Sequence, residues 1–507
     1  MSFDLRVLFF TFDRHPIVSL INRIMTRLPF SCLFVFIGMG FSSCTKDKGV
    51  PDYEGYSYEV GNIIVNKCAT SGCHTDKSKG GAGNLSMETW DKLFEGGSGS
   101  ACIIPFRADF STFQYYINTY PDLGVTLNPT MPYGKPPLSR SEVELLKNWI
   151  NSGAPNKNGE IKFADQPNRK KFYVTNQGCD VVTVFDQQSL LPMRYINVGS
   201  DPGIESPHMV RVSPDGNYWY VIFLGGNYLE KYSTSNDQLV GKAFIGPGYW
   251  NTFTLSSDSK NAYCIDLSAG GKIATVDLEN LSVNTMQGFN YPHGSSLNKT
   301  NDVLYVTQQT NSSKLYKIPV NDFSSLTEVN LYTTLPSKPL NTHELRFTPD
   351  GSKYFVTCQG TSEVRVFETA TDALLAIIPV GDMPSELSFS KTTNHLFVTC
   401  TEDLVNFPGK RGSVAIIDYE TNTLEKIIYT GHQPHGIEVD DGRKLVYVVN
   451  RNATTDGPAP HHLGECGGRN GNVSFIDLNT LNMLTSGSSS AKKVEVAVDP
   501  YSVSVRE

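Results

Sequence analysis

Charge is scarce in this chain. Only 19% of its 507 residues are Asp, Glu, Lys or Arg, and 43 basic against 51 acidic side chains leave a net charge of -8. No block of Lys and Arg is present, which argues against nucleic acid as a partner, because phosphate contacts need clustered cations. After residue 41 there is no apolar run of about eighteen residues, so nothing later in the chain is built to span a bilayer as a helix. Ten cysteines are too few for a disulfide scaffold of this size, and each needs its own explanation. Gly (43), Tyr (24) and Phe (27) are abundant instead, a balance that favours strands and turns over long charged helices. At roughly 100–200 residues per domain, the length predicts two or more domains, or a small one beside a large repetitive one.

The N-terminus reads as an address. Residues 28–41 are apolar, Arg23 and Arg27 precede them, and Ser42-Ser43-Cys44 follows, which is the order of a secretory signal. Phe41-Ser-Ser-Cys44, followed by polar Thr45-Lys46-Asp47-Lys48, resembles a bacterial lipoprotein signal, and the resemblance implies lipidation of Cys44. An ordinary signal peptide or an uncleaved anchor would equally export the remainder. Initiation at Met25 instead of Met1 gives a more ordinary signal length. Cys32 belongs to this segment. The expected organisation is an export segment over 1–44, a linker over 45–55, a small domain over 56–160 and a large one over 166–507.

The small domain carries Cys68-Ala-Thr-Ser-Gly-Cys73-His74, a C-x4-C-H spacing. A covalent haem needs two thiols for its vinyl groups and a His after the second thiol to ligate iron. The usual spacing is C-x-x-C-H, and the two extra residues bear most on Cys68. A zinc knuckle or a disulfide is the alternative for the motif alone. Downstream, Met131 sits in the rigid loop Pro129-Thr-Met-Pro-Tyr-Gly-Lys-Pro-Pro137, where a thioether can serve as sixth ligand. A helix follows, with Ser139 and Glu142 as capping box, Leu138 and Val143 as hydrophobic staple, Leu145, Leu146, Trp149 and Ile150 on one face and Gly153 at its end. Together these features resemble the small cytochrome c domains of exported bacterial proteins. That resemblance implies an all-α domain with one haem c, bonded through Cys68 and Cys73 and ligated axially by His74 and Met131. Cys102, in Gly-Ser-Gly-Ser-Ala-Cys-Ile-Ile-Pro, reads as a buried small hydrophobe in a stretch approaching the haem edge.

From residue 166 onward a strand-turn-strand phrase recurs. Its instances align His208, Asn251, His293, His343, Ser385, His435 and Tyr501 at one position, spaced by 43, 42, 50, 42, 50 and 66 residues. Four short strands in about 40–50 residues is the arithmetic of a β-propeller blade, and there are seven units. The first unit lacks one strand and the chain ends on a lone strand, 502–506, so pairing the two would close the ring. Phe172-Tyr-Val-Thr-Asn, Leu304-Tyr-Val-Thr-Gln, Phe355-Val-Thr-Cys, Leu396-Phe-Val-Thr-Cys and Val446-Tyr-Val-Val-Asn resemble the repeat of YVTN-type seven-bladed propellers. The fold class is therefore mainly β, a seven-bladed propeller preceded by a small all-α cytochrome c-like domain.

The aligned position starts the innermost strand, so its side chains should ring one mouth of the central channel. Four of the seven are His, a common ligand of copper, zinc and haem iron. His461 and His462 lie in an insertion of the last blade, beside Cys466, and His432 lies nearby. A hub metal, copper above all, stands against a structural role for these His in Pro-His-Gly turns. His395 reads as surface. Cys264, Cys358 and Cys400 end second strands and read as buried packing, Cys179 as a turn residue, and Cys466 as the propeller cysteine open to another role.

The resulting functional expectation is an exported electron-transfer haem c protein, lipid-anchored in the cell envelope of a bacterium. Its propeller would dock a redox partner protein or a small ligand. One alternative is a periplasmic oxidoreductase with a second cofactor at the hub, since cytochrome-plus-propeller order resembles cytochrome cd-type nitrite reductases, although those have eight blades. Another is a surface adhesion or scaffold propeller.

Overall fold

The computed structural model describes residues 51–200, 202–459, 466–486 and 490–506. Cys44, His461 and His462 lie outside the described residues.

The propeller is built from seven antiparallel sheets, six of four strands and one of five. Second strands such as Lys353–Cys358 and Leu445–Asn450 are buried almost throughout, because each blade packs face to face with a neighbour on both sides. Outer strands such as Leu374–Pro379 alternate between exposed and part-buried or buried positions. The Ser-Pro-Asp-Gly turns form for a local reason. Ser213 donates to the Asp215 carboxylate at 2.5 Å, Asn217 N–H reaches the same carboxylate at 3.0 Å, and Gly216 takes φ +72°.

Ring closure follows the expectation, with the terminal strand at Pro500–Val505. It forms the innermost strand of blade 1, pairing with Lys171–Asn176 through Phe172↔Val505 and Val174↔Val503. The Thr of the repeated phrase has a specific task. Each inner strand carries a bulge just after its hub residue, which frees a backbone N–H. Thr357 Oγ1 accepts from Glu344 N–H (2.9 Å) in its own blade and donates to Ser385 C=O (2.9 Å) in the next. Thr307 and Thr399 repeat this toward His343 and His435, and Thr175 does so between Ser502 and His208.

The seam between blades 7 and 1 corrects one expectation. Cys179 does lie in a turn, but it is bonded to Cys466, 287 residues away, with the two Cα atoms 5.4 Å apart. Cys466 precedes the third strand of blade 7 and meets the blade 1 turn through this bond, and no local spacing could reveal that pairing. Cys264, Cys358 and Cys400 are free and fully buried, and burial pushes the Cys400 thiol up to about 12.

Residues 51–165 form four short helices, α1 (Tyr58–Lys67), α2 (Trp90–Leu93), α3 (Thr112–Ile117) and α4 (Arg140–Asn151), joined by loops and 3-10 turns. Helix α4 is capped as its sequence predicts: the Ser139–Glu142 box is reciprocal, Leu138 and Val143 are buried, and Gly153 takes φ +102°. Ile64, Leu93, Phe113, Leu146 and Ile150 share one core with Cys68 and Cys102.

The Gly-Ser-Gly-Ser-Ala stretch does something other than approach a haem edge. Glu495 N–H donates to Gly99 C=O (3.0 Å), Ser100 hydroxyl donates to Glu495 C=O (3.1 Å), and Ala101 and Ile104 enter the core between blades 1 and 7. The chain is tightly packed where the stretch begins: a Cβ at the preceding Gly96 would fall 2.8 Å from Ser100 O and 3.1 Å from Leu191, and one at Gly97 would fall 2.7 Å from Gly83 O. Arg107 reinforces the contact with bonds to Tyr195 C=O (2.9 Å) and Asn197 Oδ1 (2.8 Å), while Phe110 stacks on Tyr195 at 4.5 Å.

Candidate functional site

Three constellations carry chemistry. The first is the C-x4-C-H loop that leaves α1. Cys68 caps that helix, and the loop turns back through Cys73 N–H to Thr70 C=O (2.9 Å) and His74 N–H to Cys68 C=O (3.2 Å). Both thiols are free. Burial pushes the Cys68 thiol up to about 12, with Cys73 beside it adding to the effect. His74 places Nδ1 3.2 Å from Leu85 C=O, and burial lowers its pKa. A ring nitrogen held on a carbonyl fixes the tautomer and leaves Nε2 as the lone-pair donor. Met131 packs against the core that contains Cys68, and its N–H is held by Tyr116 C=O (2.8 Å). Lys135, four residues on, donates to Thr70 Oγ1 (3.2 Å) inside the C-x4-C-H loop. The Met loop and the Cys-His loop are thus neighbours.

The second constellation is the hub. The structure brings His208, His293, His343, His435 and Tyr501 together, all buried, with successive ring centroids 3.7–5.5 Å apart. Asn251 and Ser385 complete the ring at the same strand position. His435 stacks on Tyr501, His208–Tyr501 and His293–His343 are tilted, and His343 meets His435 edge to face. His293 Nδ1 lies 3.0 Å from His343 C=O and His208 Nδ1 lies 3.2 Å from the Gln177 amide, whereas His343 Nδ1, His435 Nδ1 and both amide atoms of Asn251 are buried without a partner. Burial drives all four His pKa values far below the usual range, to about 3 for His343, so the rings are neutral. Among the described residues no group of three or more His, Cys, Asp or Glu is placed to hold a metal ion. His432 is buried against Thr454 Oγ1 (2.8 Å), outside the hub ring. His395 pairs with Glu425 at 3.0 Å on the outer side of blade 6.

The third constellation is absent from the sequence expectations. Three residues beyond the hub position the inner strands carry Arg211, Arg346 and Glu438, and one residue beyond it Glu344 and Glu386. These five charges occupy the channel below the His ring. Arg346 pairs with Glu344 at 2.9 Å, and Arg211 stands 3.8 Å from Glu386. Burial raises the Glu344 pKa despite Arg346, and burial together with Arg346 lowers that of Arg211. The aligned phrases His343-Glu-Leu-Arg346 and Ser385-Glu-Leu-Ser388 held the signal: a charge at alternate positions of a strand otherwise destined for burial.

No family model matches the chain. A curated relative, Antigen Lp49 of Leptospira interrogans serogroup Icterohaemorrhagiae serovar copenhageni (strain Fiocruz L1-130), is 24% identical over 208 residues, which is 39% of this chain and 45% of that protein. The chain therefore matches less than half the length of that relative. Among solved structures, a putative 6-phosphogluconolactonase of Bacteroides fragilis NCTC 9343 aligns with TM-score 0.51 at 13% identity, over 68% of this chain and 99% of that one. Kuenenia stuttgartiensis hydrazine synthase aligns with TM-score 0.45 at 15% identity, over 61% of this chain and 91% of that chain. What the sheets and the lactonase-like structure establish together is the fold: the chain is a seven-bladed β-propeller with a helical segment docked against its closing seam.

Proposed function

We propose that this is an exported electron-transfer protein carrying one haem c on the helical segment, with the propeller as a docking or ligand-binding platform. The observation that carries the reading is the pairing of two unbonded thiols with a His whose Nδ1 is held on a carbonyl, beside a Met loop tethered to the same turn. These residues fit the donor chemistry of a c-type haem: Cys68 and Cys73 for the thioethers, His74 Nε2 and Met131 Sδ for the axial positions. Bound there, haem c supplies one-electron exchange at its iron. The chain's own part is to hold His74 in one tautomer, to keep Met131 in a fixed loop and to shield the face of the group with the core around Cys68. The Cys179–Cys466 disulfide suits an oxidising compartment and supports export, as does kinship with a protein named as an antigen. Lipidation at Cys44 belongs to the same reading.

The deciding measurement is a pyridine haemochrome spectrum of the protein matured in a host competent for cytochrome c assembly. A haem c band that disappears in Cys73→Ser and persists without covalent attachment at Cys68 in Cys68→Ala supports one secure and one dispensable thioether. No band in the unsubstituted protein sinks the reading. A surface scaffold is the second reading, favoured by the antigen relative. Copper at the hub rests on the unpartnered Nδ1 atoms of His343 and His435. Elemental analysis of the protein loaded with copper and then dialysed tests it.

A further inference from the structure

The mouth above the His ring is built from three residues of each blade: the hub residue, the residue two before it, and the residue that follows the second strand. The last two are clasped together, as in Gln309 N–H to Tyr291 C=O (3.0 Å) and Gln359 N–H to Asn341 C=O (3.1 Å). In six of the seven blades the residue two before the hub takes a left-handed backbone, with φ between 43° and 58°: Ser206, Tyr291, Asn341, Met383, Gln433 and Asp499. Glycine would adopt that backbone without strain, yet none of the six is glycine. Asn and Asp tolerate it, whereas Tyr291, Met383 and Gln433 are bulky side chains held in a costly conformation. The clasp explains the turn but not the choice of side chain.

Those side chains divide the mouth into two arcs. Across blades 7 and 1 they are committed. Asp499 takes Arg451 through two bonds (2.7 and 3.0 Å), Gln433 bonds Glu402 (2.8 Å) and the N–H groups of Ala453 and Thr454, and Gln177 meets His208 (3.2 Å). Arg451 also lies 4.8 Å over the Tyr501 ring, which places these positions at the rim of the hub. Across blades 3 to 6 the side chains are uncommitted. Among the described residues Tyr249, Tyr291 and Met383 make no side-chain hydrogen bond, and Gln309 and Gln359 make long ones, at 3.5 Å to each other and 3.4 Å from Gln359 to Ser385. Tyr249 is 51% exposed. Burial raises the pKa of Tyr501 on the hub floor, and the Tyr249 phenol is near enough to add to that rise. No residue of this arc carries a formal charge.

We propose that the arc over blades 3 to 6 binds a neutral saccharide, with the amides of Gln309 and Gln359 on its hydroxyls and its ring face on Tyr249 and Tyr291. A hydroxyl both donates and accepts, as a side-chain amide does, so amides with spare bonds match neighbouring sugar hydroxyls. A half-exposed aromatic ring supplies the apolar surface that the C–H face of a sugar covers. An ionised ligand would give up hydration here and find no free opposite charge. The proposal rests on the platform half of the reading above and is independent of the haem.

The experiment is a screen of the full exported chain on an array of neutral oligosaccharides and their uronic-acid counterparts, followed by calorimetric titration of the best binder. The expected result is saturable binding of at least one neutral oligosaccharide. It should weaken about tenfold or more in the uronic-acid counterpart and in Tyr249→Ala, the factor that one good contact is worth. Tyr291→Gly separates ligand from fold: binding should weaken by a similar factor while the thermal midpoint stays or rises, because glycine relieves the left-handed backbone. Silence of the whole array, equal binding of the uronic acid, or unchanged binding by a folded Tyr249→Ala variant overturns the proposal. So does a lowered midpoint with unchanged binding in Tyr291→Gly, which would assign that ring to packing. A haem c band in the same sample with no saccharide bound would leave electron transfer standing and remove this site alone.

Discussion

Acid should unfold this propeller from its centre. His208, His293, His343 and His435 have folded-state pKa values pushed far below 6.5 by burial and by one another, and all four are buried. In the unfolded chain each titrates near 6.5. As pH falls below that value the unfolded state takes up protons that the native hub refuses, so this stability is complete above about pH 6.5 and is lost as pH falls through the depressed folded-state values, for His343 down to about 3. Each His costs about 1.4 kcal/mol per pH unit in that window, or about 2 kcal/mol between about pH 7.5 and about pH 5. Four together cost about 8 kcal/mol. Glu344 opposes them: its raised pKa adds stability as pH falls toward the ordinary carboxylate range, by at most about 2 kcal/mol over the same interval. The net loss of about 6 kcal/mol is comparable to the whole stability of an ordinary domain. Urea denaturation at the two pH values measures it directly, and histidine proton resonances should show the four hub rings still neutral well below pH 6.5, His343 down to about pH 4. A loss below about 1 kcal/mol, or hub resonances titrating near 6.5, would refute a dry neutral hub.

Other consequences follow from single contacts. Thr357→Val keeps the shape but leaves Glu344 N–H and Ser385 C=O buried and unpaired, and should cost about 2–4 kcal/mol in denaturant unfolding. Replacing Cys179 and Cys466 by Ser should cost about 2–4 kcal/mol under oxidising conditions and nothing further under reduction, since the bridge closes a 287-residue span of the unfolded chain. Arg107→Ala removes two bonds to the outer strand of blade 1 and the cation over Phe110, and should loosen the helical segment by about 1–3 kcal/mol. Limited proteolysis between residues 160 and 170 should accelerate while the propeller fragment survives.

The propeller was legible because its period is long and its phrase is repeated. Position 208 and its six counterparts could be aligned by eye, and they do ring one channel mouth. The physical reason for Thr in the phrase was not legible, because it depends on a bulge that exists only once the inner strand is bent around the axis. The channel charges were written in the same aligned phrases, three residues past the His, yet a search for ligand types passes over Arg and Glu. The Cys179–Cys466 bridge was hidden for a different reason: its partners belong to the first and last blades, and only ring closure makes them neighbours. In the helical segment the capping box of α4 was local and therefore readable. The Gly-Ser stretch was misplaced because small residues announce a close approach without saying to what.

That misplacement has a structural meaning. A propeller closed by its C-terminal strand has one seam at which failure opens the whole ring, here between blades 7 and 1. Three separate devices converge on it: the strand Pro500–Val505 supplied to blade 1, the disulfide from the blade 7 insertion to the blade 1 turn, and the loop of residues 99–104 bonded to Glu495 and packed into the seam core. The helical segment is therefore part of the closure. Its Cys102 lies in one core with Cys68 while Ala101, the preceding residue, lies in the seam core. A change in packing around the Cys68–His74 turn consequently has a covalent path of one residue to the place where the ring is fastened. Hydrogen exchange at Glu495 N–H, bonded to Gly99, is the local readout: it should quicken in Cys68→Ala or Arg107→Ala, while amides on the far blades stay protected. Equal protection of Glu495 in all three proteins would mean that the seam holds without the helical segment.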